Sequence, residues 1–125
     1  MQKTLIVVFS DPKSLSEEAL GRAFNALTTA YDLKERKQDV RVLFQGTGTR
    51  WVAEIANPTH LLHGLYQAVQ DKIEGVCGGC ADVFGATEGV KEIGLPLLRN
   101  LKVPGTDGVT SLGQFIKDGY TIVTF

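Results

Sequence analysis

The sequence predicts an α/β domain with a parallel β-sheet that is covered by helices on both faces. Two observations lead to this fold class. Short apolar segments rich in β-branched residues recur along the chain, as expected for strands buried on both faces. Longer segments with helical periodicity lie between them, so strands and helices alternate. The chain has 125 residues and no linker, repeat or low-complexity tract, which indicates one domain over residues 1–125.

The individual elements follow from apolar runs, capping residues and chain breakers. Ser14 and Glu17 fit a capping box for the first helix, and Ser16 is an alternative cap. Leu61, Leu62 and Leu65 are expected on the buried face of the third helix. The predicted strands cover residues 4–9, 40–44, 73–76, 98–103 and 120–125. The predicted helices cover residues 15–37, 50–57, 59–72, 81–93 and 110–118.

Composition excludes several classes of partner. Thirteen basic and fourteen acidic residues give a net charge of −1, and no basic cluster is interleaved with aromatic residues, so nucleic acid is not expected as a ligand. The N-terminal apolar run is too short for a signal peptide, and no segment approaches the ~20 apolar residues of a membrane helix. We therefore expect a cytoplasmic protein without a membrane partner.

Parallel topology brings three loops to one edge of the predicted sheet. The loops that follow parallel strands lie together at the carboxyl edge, where α/β proteins bind ligands. These loops are residues 10–12, 46–51 and 77–80. The third contains the only two cysteines of the chain, Cys77 and Cys80, so the sequence places both thiols where chemistry is expected.

The cysteines form a Cys-Gly-Gly-Cys motif, which is typical of reactive thiols and of metal sites in a reducing compartment. A thiolate is the reactive form, and free backbone amides at Gly78 and Gly79 would stabilise it. Asp82 would oppose this effect because its negative charge disfavours a nearby anion. The alternative is a pair of small buried cysteines whose glycine turn serves packing alone.

A zinc site is the competing interpretation of the same motif. His60 and His63 lie one helical turn apart, and with the two cysteines they would form a Cys₂His₂ set. The start of a helix lies at the opposite edge of a parallel sheet from the end of a strand, so such a site would have to span the domain. We expect no metal and no cofactor.

The two other loops supply candidate ligand-binding residues. Thr47, Gly48 and Arg50 offer a hydroxyl, a free amide and a cation that would suit an anionic group beside Cys77. Ser10 and Asp11 follow the first strand at the same edge. A turn that starts a helix is the simpler interpretation of the segment 46–50, because it matches no nucleotide-binding signature.

The chain resembles the DsrE/DsrF-like family, which includes the sulfur-relay subunits of the TusD and DsrE type and the YchN-like proteins. The resemblance extends over essentially the whole chain. It rests on four stretches taken in order: LIVVF, AFNALTTAYDLKERKQDVRVLF, GVCGGC and TSLGQFIKDGYTIVTF. It implies a three-layer α/β/α sandwich with a five-stranded parallel sheet. It also implies a persulfide on the cysteine that follows the third strand, which is Cys77, and assembly into trimers or hexamers.

The sequence thus predicts a sulfurtransferase-like relay protein that accepts and donates sulfane sulfur through a Cys77 persulfide. Its partners would be sulfur donor and acceptor proteins. We expect Cys77 to be accessible and Cys80, as a resolving thiol, to be partly covered. Trp51, Tyr66 and Phe84 are candidate anchors of a homo-oligomer interface. Two alternatives stay open: a non-enzymatic redox- or metal-responsive oligomeric binding subunit that uses the same motif, and an oligomeric binding protein whose cysteines are inert.

Overall fold

A computed structural model describes residues 2–125 and contains a sheet of five strands. Every pair of neighbouring strands is parallel. The strand order is β4-β3-β2-β1-β5. The predicted α/β sandwich with a five-stranded parallel sheet is therefore confirmed. The strands are β1 (Lys3–Val8), β2 (Asp39–Phe44), β3 (Ile73–Cys77), β4 (Leu97–Leu98) and β5 (Thr121–Thr124).

Six α-helices connect and flank the strands. The first begins at Glu17 because Ser16, and not Ser14, caps it: the Ser16 hydroxyl accepts a 3.0 Å hydrogen bond from the Ala19 N–H. Short 3₁₀ turns cover Pro12–Ser14, Gly46–Arg50 and Gln70–Lys72. The helices are α1 (Glu17–Glu35), α2 (Trp51–Ile55), α3 (His63–Val69), α4 (Gly78–Val83), α5 (Thr87–Ile93) and α6 (Leu112–Lys117). No helix within residues 2–125 is long and apolar enough to cross a membrane.

The two faces of the sheet are covered unequally. Successive strand residues point to opposite faces, and on one face Val8, Phe44 and Val76 pack with residues of the first five helices. We call this the major face. On the other, the minor face, only Leu5, Val7 and Leu43 form a fully buried cluster, covered by partly buried residues including Leu98, Leu112, Phe115 and Tyr120. One short helix, α6, thus replaces a full helical layer.

The fourth strand is shorter than predicted. Residues 98–103 were expected to form it, but only Leu97 and Leu98 pair with β3. Their partner strand ends at Cys77, where α4 begins, so no edge remains for a longer strand. The chain instead leaves the sheet and returns through an antiparallel bridge between Leu101 and Val109. We call residues Arg99–Thr110 the strap.

The region before β3 also departs from the prediction. The Asn57 side chain accepts the Thr59 N–H, and the His60 imidazole accepts the Leu62 N–H, so the chain forms turns until α3 starts at His63. As a result Leu61 is 79% exposed, which contradicts its expected place on the buried face. Downstream, the predicted helix over residues 81–93 is two helices, because Gly85 has a positive φ of 73° between α4 and α5.

Candidate functional site

Cys77 lies at the carboxyl end of β3 and points to the minor face. Val76 packs on the major face, so the side chain of the next residue points to the opposite side of the sheet. Cys77 is 0% exposed, whereas Cys80 is only partly covered. The expectation of an accessible Cys77 is therefore wrong, whereas Cys80 is partly covered, as expected. The expectation for Cys77 placed an open crevice over the end of β3, and the strap fills that space.

The strap packs directly against Gly78 and Gly79. A β-carbon on Gly79 would lie 2.6 Å from Val109 Cγ1 and 3.1 Å from the carbonyl oxygen of Gly108. One on Gly78 would lie 2.5 Å from Cγ of Arg99. A glycine is required at position 79 because the strap passes directly over it, whereas the contact at Gly78 is with the flexible side chain of Arg99.

The sulfur of Cys77 is surrounded by hydrogen-bond donors. The thiol of Cys80, together with the backbone N–H groups of Thr110 and Cys80, lowers the pKa of Cys77 to about 5, against the opposing effect of burial. The Thr110 hydroxyl contributes least, and its Oγ1 makes no well-formed hydrogen bond. These donors stabilise Cys77 as the thiolate. The predicted amides of Gly78 and Gly79 are not among them.

Cys80 shows the opposite behaviour. Its hydrogen bond to the Cys77 sulfur and its partial burial raise the pKa of Cys80, although the Gly46 backbone N–H opposes this. At neutral pH the pair therefore holds one proton, and the opposite directions of the two pKa shifts assign it to Cys80. The pair thus combines a buried sulfur that is stabilised as a thiolate with a more exposed thiol that donates a hydrogen bond to it.

Asp82 does not act on the thiols as predicted. Arg99 donates to its carboxylate at 2.8 and 3.2 Å, and the Thr87 hydroxyl donates at 2.6 Å. These bonds lower the pKa of Asp82 to about 2. The negative charge expected to disfavour a Cys77 thiolate is thus compensated by Arg99, and the ion pair fastens the beginning of the strap to the end of α4.

Loop residues predicted to bind ligands are engaged in internal contacts. The Ser10 hydroxyl donates to the Ala19 carbonyl, and the Thr47 hydroxyl donates to the Phe9 carbonyl. Ser10 follows β1, which is separated from β3 by β2, so its expected place beside Cys77 is wrong. From the segment 46–50, the Gly46 amide does reach the dithiol.

Arg50 and Gly48 also have structural contacts. Arg50 bonds Asp11 at 3.0 Å and the Phe84 carbonyl at 3.0 Å, so it ties three loops together. Gly48 lies directly against the backbone carbonyl of Val8, which leaves no room for a side chain. Anion binding by these residues stays a prediction.

Both histidines make contacts with backbone groups and not with the cysteines. His63 Nδ1 lies 2.8 Å from the Ile55 carbonyl, and His60 Nδ1 accepts the Leu62 N–H at 3.0 Å. Across residues 2–125 there is no group of three or more His, Cys, Asp or Glu side chains arranged to hold a metal ion. The expected absence of zinc is left to metal analysis.

Two proposed interface anchors belong to the core. Trp51 and Tyr66 are each 3% exposed and pack on the major face, so neither is available to a partner subunit. Phe84 is half-buried beneath the Arg50 guanidinium, 5.5 Å from its ring centroid. The interface expectation therefore fails for the first two residues.

Sequence reasoning missed Arg99, Thr110 and Gln45. Arg99 follows β4 at the carboxyl edge, but the overlong strand prediction concealed that loop. Gln45 follows β2, and its Oε1 is a buried acceptor without a partner. The feature that could have identified Gln45 is its position directly after a buried strand, beside the predicted loop 46–51.

Comparison with known proteins agrees with the fold. The model of the DsrE/DsrF-like family matches residues 2–125. An uncharacterized protein of Methanocaldococcus jannaschii, MJ0733, is 28% identical over 99 residues, covering 79% of this chain and 76% of that protein. The structure of BT1422, a conserved protein of unknown function from Bacteroides thetaiotaomicron, shares the fold with a TM-score of 0.63 at 19% identity, over 98% of this chain and 95% of that one. The chain belongs to the DsrE/DsrF-like family.

Proposed function

We propose that this protein is a sulfur carrier that accepts and donates sulfane sulfur through a persulfide on Cys77. The observation that carries the proposal is the state of the Cys77 sulfur. Hydrogen bonds from Cys80 and Thr110 hold it as a thiolate at neutral pH. The thiolate is the form of cysteine that attacks a sulfur–sulfur bond.

The transfer is an exchange at sulfur. The Cys77 thiolate attacks the outer sulfur of a donor persulfide, a bond forms between the two sulfurs, and the donor leaves as its thiolate. An acceptor thiolate then removes the same sulfur from Cys77 in an identical step. Neither step needs an external oxidant, because the sulfane sulfur moves with its oxidation state unchanged.

Cys80 provides a second route by which the sulfane sulfur can leave Cys77. Its sulfur is within hydrogen-bond reach of Cys77. After losing its proton, Cys80 can attack Cys77 Sγ and expel hydrosulfide, which leaves a disulfide between the two cysteines. The sulfane sulfur is reduced in this step and the two thiols are oxidised. Cys80 is thus the resolving thiol of the proposal.

The donor reaches Cys77 when the strap moves. The cysteine is fully buried, while residues 101–105 of the strap are exposed and make few apolar contacts. Segments with little buried apolar surface open at lower free energy than the core. A closed strap also keeps a bound persulfide away from small reductants, which suits a carrier.

The partners of this carrier are sulfur donor and acceptor proteins, and we infer a homo-oligomer in the cytoplasm. Free thiols at both cysteines suit a reducing compartment. Exposed apolar residues outside the site, Leu15, Phe24 and Leu61, support self-association. Light scattering at micromolar concentration should give a trimer or hexamer, and a monomer would contradict the inference.

The test of the carrier is loading followed by delivery. Protein incubated with a small-molecule persulfide donor should gain the mass of one sulfur atom, lose it to reductant, and pass it to a thiol acceptor. The two alternatives give other results. A redox subunit would form a disulfide without retaining sulfur, a metal-responsive one would bind metal, and inert cysteines would do neither.

A further inference from the structure

Two polar side chains on the minor face are buried without a partner. Gln45 is 7% exposed and its Oε1 accepts no hydrogen bond; Thr110 is 5% exposed and its Oγ1 has no well-formed bond. These are the buried side-chain oxygen or nitrogen atoms without partners among residues 2–125. Leaving such a group buried and unpaired is unfavourable, so each requires an explanation.

Strand geometry brings both groups to Cys77. Phe44 pairs with Val76, and Gln45 continues β2 in an extended conformation, with φ −127° and ψ 158°. One residue further along, Gln45 therefore lies beside Cys77 in the sheet. Its side chain points to the same face as Leu43, which is the minor face. The next residue agrees with this location, because the Gly46 backbone N–H is one of the groups that act on the pKa of Cys80.

The resting thiolate does not use Gln45. The groups that set the pKa of Cys77 are Cys80 and Thr110, and those that set the pKa of Cys80 are Cys77 and Gly46. An acceptor oxygen beside a thiolate has nothing to accept from it. The amide becomes useful when a second atom with a hydrogen to donate is attached to Cys77.

We propose that Gln45 and Thr110 form the binding site for the outer sulfur of the Cys77 persulfide. This rests on the proposed function and adds residues to it. An S–SH group donates to the Gln45 carbonyl oxygen, and an S–S⁻ group accepts from the Thr110 hydroxyl, so the two residues serve both protonation states. In the resting protein Gln45 Oε1 is unpaired and the Thr110 hydroxyl makes only its weak contact with Cys77, and the bound sulfur completes the hydrogen bonds of both.

The test compares Gln45→Leu with the wild type in two states. Gln67→Leu, a substitution of an exposed glutamine on α3, is the matched control. After excess persulfide donor is removed, the loss of the added sulfur is followed by intact mass. The lifetime of the adduct should fall about fivefold in Gln45→Leu, which corresponds to one lost hydrogen bond, and should not change in the control.

Thermal unfolding of the unloaded proteins gives the second readout. Gln45→Leu removes an unpaired buried acceptor, so its Tm should equal or exceed that of the wild type. A glutamine with a merely structural role would instead lower the Tm when replaced. An unchanged adduct lifetime, or a lowered Tm with an unchanged lifetime, overturns the proposal. If the wild type itself retains no sulfur, the carrier function fails and this site fails with it.

Discussion

The two faces of the sheet differ in how they are covered. The major face is closed by α1 to α5, whose buried residues form one continuous core with Val8, Phe44 and Val76. The minor face has three fully buried apolar residues, one short helix and the strap. The unpaired oxygens of Gln45 and Thr110, the thiolate of Cys77 and the two glycines under the strap are associated with the minor face.

This difference assigns stability and chemistry to separate regions. Apolar burial on the major face stabilises the fold, and within residues 2–125 no buried side-chain oxygen or nitrogen on that face lacks a partner. The minor face has little apolar area to lose, so a segment such as the strap can move without unfolding the domain. We therefore propose that the Cys77 sulfur is protected while the strap is closed and reachable when it opens.

The largest expected effect is a loss of stability on the major face. Phe44 is 1% exposed in the centre of that core, so Phe44→Ala should lower the free energy of unfolding by about 3–5 kcal/mol. Phe115 on α6 is only partly buried, and Phe115→Ala should lower it by less. Denaturant unfolding measures both values, and equal losses would remove the distinction between the faces.

The second effect concerns the pKa of Cys77. Its depressed pKa depends most on the Cys80 thiol, so Cys80→Ala should raise it toward the ordinary value of about 8.5, whereas Cys80→Ser retains a donor and should raise it less. Thiolate absorbance in the wild type should rise through a midpoint near pH 5 and have reached its plateau at neutral pH. In Cys80→Ala it should still rise through neutral pH. Identical titrations of Cys80→Ala and Cys80→Ser would contradict the role of the Cys80 side chain as the main hydrogen-bond donor to Cys77.

The third effect is on access to Cys77. Gly79→Ala places a methyl group against Val109 and Gly108, so the strap should close less often and the rate of Cys77 alkylation should rise about tenfold. Gly113→Ala is the matched control, since a β-carbon there meets no atom within 4 Å. Peptide mass spectrometry gives the rates. The strap is not the barrier if both variants react like the wild type.

The smallest effect should come from the ion pair that fastens the strap. Arg99 and Asp82 are partly exposed, and such pairs contribute about 0.2–1 kcal/mol, so Arg99→Gln should raise the alkylation rate by at most about fivefold. Because the pKa of Asp82 is depressed, its contribution is present above about pH 4 and is lost only as the pH falls toward 2. Arg22→Gln breaks a comparable exposed pair on α1 and should have no effect on this rate.

The sheet could be predicted from sequence because its strands are continuous apolar runs with helices between them. The end of β4 could not be predicted from sequence. It is set by its partner strand β3, which ends where α4 begins at Gly78, and residues 98–103 themselves carry no sign of this. The burial of Cys77 was missed for the same reason. A strap of exposed residues has no apolar pattern that would reveal what it covers.

The candidate site was predicted in part. The position of Cys77 after the third strand and the downward direction of its pKa shift were predicted from local sequence, but the donors that cause the shift, Cys80 and Thr110, were not. Gln45 and Thr110 are 65 positions apart in the chain, as their numbers give, and meet only through the sheet register and the return of the strap. Neither residue type marks a reactive site by itself.

The central claim is that Cys77, beneath the strap, carries the sulfur. The most direct measurement is persulfide loading of Cys77→Ser and Cys80→Ser, read by intact mass before and after reductant. The account predicts that Cys77→Ser gains no sulfur, and that Cys80→Ser gains one and keeps it as long as the wild type or longer, because the resolving thiol is gone. Loss of loading in Cys80→Ser alone would reverse the roles of the two cysteines, and loading that survives both substitutions would contradict the account.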